Sequence, residues 1–162
     1  MSETTTPDNV PATPEAPAAA PAVAPAPAPA KAIHGAHFGI GRRKAAVARV
    51  RIKPGSGQFL INKKRSLEEY FGREQDRNHS LSSLRVTGTT QKYDVFVTVH
   101  GGGSHGQAGA IRLGVARAII KAEPQHYQAL KDGGYLTRDA REGERKKPGQ
   151  AGARRSFQFS KR

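Results

Sequence analysis

Six residues in the middle of the chain, "GGGSHG" at 101–106, have the GxGxxG spacing of a phosphate-cradling loop, and a further histidine, His100, stands just before them. Glycines at this spacing let backbone N–H groups approach an anion, and a helix opening behind them adds the partial positive charge of its N-terminus. Three uses stay open for Gly101, Gly102 and Gly103: a nucleic-acid phosphate, a structural turn, or a nucleotide cofactor. The last requires a second apolar strand after the helix, with a ribose-binding acid at its tip. Glu123 lies near the right distance but precedes Pro124 and a polar stretch, so a dinucleotide unit is not expected. His100 and His105 have no cysteine or clustered carboxylate beside them, which favours a phosphate or base contact over metal binding or general-base chemistry. No Ser/His/Asp set, carboxylate pair or P-loop lysine accompanies them; the reading is of a protein that is not an enzyme and carries no cofactor and no metal.

The elements that must position this loop are legible as periodicity. "YDVFVTVH" before it alternates, with Tyr93, Val95, Val97 and Val99 on one face, and reads as a central strand. From Gln107 the period becomes helical: Ile111, Val115, Ala118, Ile119 and Ala122 mark an apolar face and leave Arg112, Arg117 and Lys121 outside, until Pro124 ends the helix, with a second helix expected to open there through "QHYQALKDGG". Upstream, Ala46, Ala48, Val50 and Ile52 alternate with Val47, Arg49, Arg51 and Lys53, giving a strand with a basic outer face. The turn "KPGSG" and the strand "QFLIN" then predict a hairpin. Ser66 and Glu69 in "SLEEYFG" have capping-box spacing for a short helix stopping at Gly72, and residues 73–90 predict only a helical turn around Leu81 and Leu84. The expected architecture is an α/β (α+β) sandwich, with helices on one face of a sheet.

Charge indicates what such a scaffold binds. The chain has 27 Lys+Arg against 13 Asp+Glu, a net +14 and a pI near 10.7, so a polyanion is the expected partner, nucleic acid first. Glu3, Asp8 and Glu15 against Lys31 give the first 36 residues −2, which leaves +16 on residues 37–162. Eight of the eleven prolines lie between Pro7 and Pro29, so residues 1–36 are expected to be a disordered Ala/Pro-rich extension. Arg42, Arg43 and Lys44 in "GIGRRK" read as a flexible, glycine-flanked cluster leading into the basic strand, with no acid from residue 38 to residue 67. From Arg145 to Arg162 there are seven basic residues, no acid, and two phenylalanines, Phe157 and Phe159, which fits an arm that orders on RNA. No stretch approaches the roughly 20 apolar residues of a membrane span, and the absence of cysteine fits a reducing compartment, with cytoplasm the default.

"GRRKAAVARV", "KPGSG", "LEEYFGR", "VTVHGGGSHGQAGAIRLGVARAI", "LTRD", "ERKKPG" and "QFSKR" follow one another in this chain in the order found in bacterial ribosomal protein S-nine. The chain resembles that family over about residues 38–162. The resemblance implies a fold like the second domain of ribosomal protein S-five, with a left-handed βαβ unit, where handedness rules alone favour the right-handed crossover. The Ala/Pro-rich extension at 1–36 lies outside the resemblance, which implies a globular RNA-binding domain at 37–137 and an extended basic tail at 138–162.

The implied partners are 16S ribosomal RNA, peptidyl-site transfer RNA and other proteins of the small-subunit head, with no membrane and no homo-oligomer. The expected ribosomal RNA contacts are Arg42, Arg43, Lys44, Arg49, Arg51, Gly101, Gly102, Gly103, His105, Gln107, Arg112, Arg138, Arg141, Arg145, Lys146, Lys147, Arg154 and Arg155. By carry-over, Ser160, Lys161 and Arg162 approach the transfer RNA. Phe157 stands where tails of this family commonly have proline, and Glu142 and Gly143 stand where apolar residues are usual. A free-standing nucleic-acid chaperone and a dinucleotide enzyme built on the glycine loop are the competing readings.

Overall fold

The computed structural model describes residues 35–160. Five strands form one mixed sheet: β1 (His37–Arg43), β2 (Ala46–Pro54), β3 (Phe59–Ile61), β4 (Arg65–Ser66) and β5 (Tyr93–His100), in the order β1-β2-β5-β3-β4. Four helices accompany them, α1 (Leu67–Tyr70), α2 (Glu74–Thr87), α3 (Ser104–Ala122) and α4 (Tyr127–Asp132), with a 3-10 turn at Pro124–His126 before α4. The alternation in β2 and β5 has the expected result. Ala46, Ala48, Val50 and Ile52, together with Tyr93, Val95, Val97 and Val99, are buried against Ile111, Val115 and Ile119 of α3.

β5 is central, but β2 and β3 do not form the expected hairpin. β5 lies between them, antiparallel to β2 with Val50 opposite Val97, and parallel to β3 with Ile61 opposite Val97. The chain between β2 and β3 instead wraps the end of β5. One oxygen of Asp94 accepts from the N–H groups of Ser56, Gly57 and Gln58, each at 2.9 Å. The bond from Gln58, followed by the others, holds the Asp94 carboxyl below its usual range. A turn built on a carboxylate of another strand needs no pairing between the strands it joins.

"GIGRRK" is also different: it is strand β1, not a flexible cluster. Gly39 and Gly41 face α3, and a Cβ on either would run into α3 backbone at Ala110, Gly114 or Ala118. The glycines serve close approach of strand and helix. Arg117 and Lys121 of α3 then donate to the edge carbonyls of Ile40 and Phe38, both at 2.8 Å, which covers the hydrogen-bonding edge of β1.

The helical turn expected near Leu81 and Leu84 is the 14-residue α2. Its buried residues are Asp76, Ser80, Ser83 and Leu84, so the face that packs reads as polar in the sequence. The hydroxyls are satisfied internally: Ser80 donates to the Asp76 carbonyl at 2.9 Å and Ser83 to the Arg112 carbonyl of α3 at 3.0 Å. Small hydroxylated side chains let α2 lie close to α3. The capping box at Ser66 and Glu69 is present, although α1 ends at Tyr70 with Phe71, not Gly72, as its C-cap.

Candidate nucleic-acid interface

β5 ends at His100, and the chain turns through Gly101 (φ 73°) and Gly102 (φ 65°), both left-handed, before Gly103 caps α3. These conformations suit glycine, and the loop passes close over Ala45 and Ala46 at the start of β2. α3 begins at Ser104, three residues earlier than its apolar periodicity indicates, because Ser104 and His105 are exposed and the buried residue of this first turn, Gly106, has no side chain to mark an apolar face. No side chain caps this N-terminus, so its outward N–H groups and dipole are presented to solvent. Beyond α3 the chain passes to the 3-10 turn and α4, and β5 is the last strand among the described residues, so the second strand of a dinucleotide unit is not formed. Glu123, the acid at the ribose-binding distance, is structural: it accepts from Lys92, from Tyr93 at 2.5 Å and from His126, and Lys92 first among these holds its carboxyl down to about 2.

The β1–β2 turn meets this loop at the same end of the sheet, and it separates the cluster of three cations. Arg42 points to the helix-free face of the sheet, opposite Val47, which in turn faces His100. Lys44 is exposed in the turn, with φ 51°. Arg43 lies on the helix side, over Gly109, and is largely buried. Its guanidinium donates to one Asp139 oxygen at 3.1 and 3.2 Å and to the His105 carbonyl at 3.2 Å. Asp139 also accepts from Arg141, and Arg141 first, then Arg43, pull its carboxyl well below the usual range. Arg43 is therefore a clamp on the base of the tail, a role its sequence neighbourhood does not show because Asp139 lies 96 residues away.

Other expected contacts divide in the same way. Gln107 has both amide ends occupied, accepting from Tyr70 at 2.8 Å and donating to the Gly101 carbonyl at 3.0 Å, so it stiffens the glycine loop from within. Arg112 is not on the outer face: its guanidinium lies over the Tyr135 ring at 5.3 Å and its Nε is buried. His105 Nδ1 pairs with Asp76 at 3.0 Å and its ring meets His79 edge-on, while the rest of the ring is exposed. Burial first, then the positive charges of Arg112 and Arg43, lower the His79 pKa. Among the described residues no group of three or more His, Cys, Asp or Glu could hold a metal ion.

Arg49 and Arg51 are exposed on the helix-free sheet face. Arg138, Arg145, Lys146 and Arg155 are exposed on a segment with no helix or strand. Glu144 gathers Lys147 at 3.4 Å and Arg154 at 2.8 Å. Phe157 and Phe159 are exposed at 65% and 96%, and Ser160 is exposed beside them. The other two tip residues, Lys161 and Arg162, lie outside the described residues, as does most of the Ala/Pro-rich extension.

A sequence profile described as Ribosomal protein S9/S16 matches residues 41–162. The chain belongs to the ribosomal protein S9/S16 family. Among its S9 relatives, the small ribosomal subunit protein uS9 of Rhodopirellula baltica is 50% identical over 130 residues, covering 80% of this chain and 94% of the relative. The proteins of the same name from Anaeromyxobacter sp. strain K and Anaeromyxobacter dehalogenans are each 52% identical over 127 residues, covering 78% of this chain and 97% of theirs. The S9 match takes in the end of β1, all of β2, the glycine loop, α3 and the whole basic tail.

Proposed function

We propose that the chain is a structural constituent of the small ribosomal subunit in the cytoplasm, bound to 16S ribosomal RNA in the head beside other head proteins. Its tail contacts peptidyl-site transfer RNA. In this reading residues 1–36 are an extension, 37–137 the RNA-binding body and 138–162 the arm. The β3–β5 unit, two parallel strands joined through α1 and α2, is the left-handed crossover of an S-five second-domain-like fold. An experimental structure with a right-handed connection would remove that last part.

The observation that carries the proposal is the meeting, at one end of the sheet, of Lys44, the left-handed glycines Gly101 and Gly102, and the uncapped N-terminus of α3. That end offers backbone N–H groups and cations together, which is how a protein holds a phosphate chain without reading its sequence. Arg49 and Arg51 extend the same field across the sheet, and Arg138, Arg141, Arg145, Lys146, Lys147, Arg154 and Arg155 extend it along the tail. His105 joins it through the exposed part of its ring. Arg43, Gln107 and Arg112 hold the scaffold from inside. The chemistry is binding, with no catalysis, cofactor or self-association assigned.

At the tip, Ser160, Lys161 and Arg162 would add about 1–3 kcal/mol to transfer RNA retention, the size of exposed charge-assisted hydrogen bonds. The test of the body is a salt titration of ribosomes on density gradients. The chain is expected to stay with the small subunit well above the salt that strips loosely bound proteins, and Lys44→Gln to lower the salt slope of binding to head RNA by about 1. Release at modest salt, with equal affinity for random duplexes, would instead make it a free-standing nucleic-acid chaperone.

A further inference from the structure

The helix-free face of the sheet has a pattern that phosphate binding alone does not explain. Pairing registers place Phe38, Arg51, Phe96 and Leu60 side by side across β1, β2, β5 and β3. The next row is Ile40, Arg49 and Thr98. Large apolar side chains and arginines thus share a surface that no helix covers, with Phe38 and Ile40 38% and 51% exposed and Phe96 and Leu60 half-buried. A purely electrostatic face has no use for rings, and exposed apolar groups gathered in a patch mark a binding surface.

Arg51, Leu60, Lys63, Phe96, Val97 and Thr98 line a cleft of about 220 Å³ on this face. That is below the roughly 300–1,000 Å³ of pockets for drug-sized ligands, and it suits one planar group. Lys63 is held at its rim. Asn62 and Lys63 both have left-handed backbone, φ 50° and 73°, unusual for residues other than glycine. Asn62 fixes them to β5, its side-chain oxygen accepting from the Val99 N–H at 2.9 Å and its own N–H donating to the Val97 carbonyl at 2.8 Å. Charge favours a polyanion as the occupant over a protein surface of mixed charge. Arg49, Arg51, Lys53 and Lys63 contribute four cations, whereas the β5 carboxylate on this side, Asp94, is committed to three backbone N–H groups.

We propose that this face is a stacking platform for an unpaired RNA base, with Phe96 under the base and Arg51 and Lys63 on the phosphates either side. The proposal rests on the RNA-binding reading above and adds the class of RNA: single-stranded or looped, because a base inside a duplex has no free face to stack.

The test uses the full chain and two hairpin RNAs of equal length, one fully paired and one with an internal loop carrying 2-aminopurine. The parent is expected to bind the looped RNA about 10-fold more tightly and to quench its fluorescence, F96L to lose that preference, and F96Y to keep it. R51Q and K63Q should weaken both RNAs. Unfolding transitions matching the parent's establish that the variants are folded. A parent that binds both RNAs equally, or an F96L variant that keeps the preference, overturns the platform and leaves the RNA-binding reading standing. A parent that binds neither overturns both. Self-association of the parent that F96L abolishes would assign the face to a second copy of the chain and also overturn the platform.

Discussion

Between His37 and Asp132 the chain is held by a shared apolar core, whereas from Arg138 to Ser160 it forms no helix or strand and is tied by two carboxylates, Asp139 and Glu144. In the body, geometry follows from packing: glycines at Gly39 and Gly41 admit α3, and serines on α2 admit it from the other side. In the tail, geometry follows from ion pairs of unequal burial. The Arg43–Asp139 pair is mostly covered, while Lys147 and Arg154 on Glu144 are 56% and 88% exposed. Exposed pairs contribute roughly 0–1 kcal/mol, so phosphates can replace them readily. The body is built to keep one shape, and the ion pairs of the tail beyond its clamp are exposed enough to be exchanged, which is what the proposed RNA-binding role asks of them.

The contrast breaks most severely at the sheet–helix contact. Gly41→Ala places a methyl group against α3 backbone, which cannot swing aside as a side chain would, and about 2–3 kcal/mol of stability should be lost in urea unfolding. A loss below half a kilocalorie would mean that strand and helix do not approach as described.

The clamp comes next. Asp139→Asn should leave the body folded but release the arm, so that trypsin cuts after Arg138 and Arg141 several-fold faster. Unchanged cleavage would mean that the Arg43–Asp139 pair does not anchor the tail.

A pH titration locates a smaller difference. The His79 pKa is lowered from its ordinary 6.5, chiefly by burial, so the unfolded chain binds the proton more readily than the folded one. This contribution to stability is present above pH 6.5 and is lost as the pH falls through that value toward the folded pKa. His79→Gln should flatten the dependence of the unfolding midpoint on pH in that window. The described tail contains no histidine, so its proteolytic susceptibility should stay constant there. The smallest effect is expected from Glu144→Gln, which frees Lys147 and Arg154. Stability should change by less than about 0.5 kcal/mol while affinity for RNA rises slightly and its salt dependence steepens.

How much could be read in advance depended on whether a residue's partner was near it in sequence. The alternation of β2 and β5, the Ser66–Glu69 box and the Pro124 stop are local signals, and each gave its element. The pairing of β2 with β5 rather than β3 could not be read locally, because it depends on Asp94, 38 residues beyond Ser56, holding the turn. α2 escaped because serines and an aspartate on a buried face look like a solvated surface, and β1 because its glycines look like flexibility. At the interface the basic residues were legible by type, but their directions were not: Arg42, Arg43 and Lys44 are consecutive and point to the open sheet face, the tail clamp and the turn. That Phe96 and Lys63 belong together is not legible in the sequence, because only the assembled sheet brings them to one cleft.

The division between body and arm is tested most directly by peptidyl-site transfer RNA affinity, measured on ribosomes carrying the full chain and on ribosomes whose copy lacks Ser160, Lys161 and Arg162. The expected result is normal incorporation of the shortened chain into the small subunit together with transfer RNA binding weakened by about 5- to 160-fold, the equivalent of 1–3 kcal/mol. Normal incorporation with unchanged affinity would contradict the account, and would leave the tail as one more segment packed in ribosomal RNA.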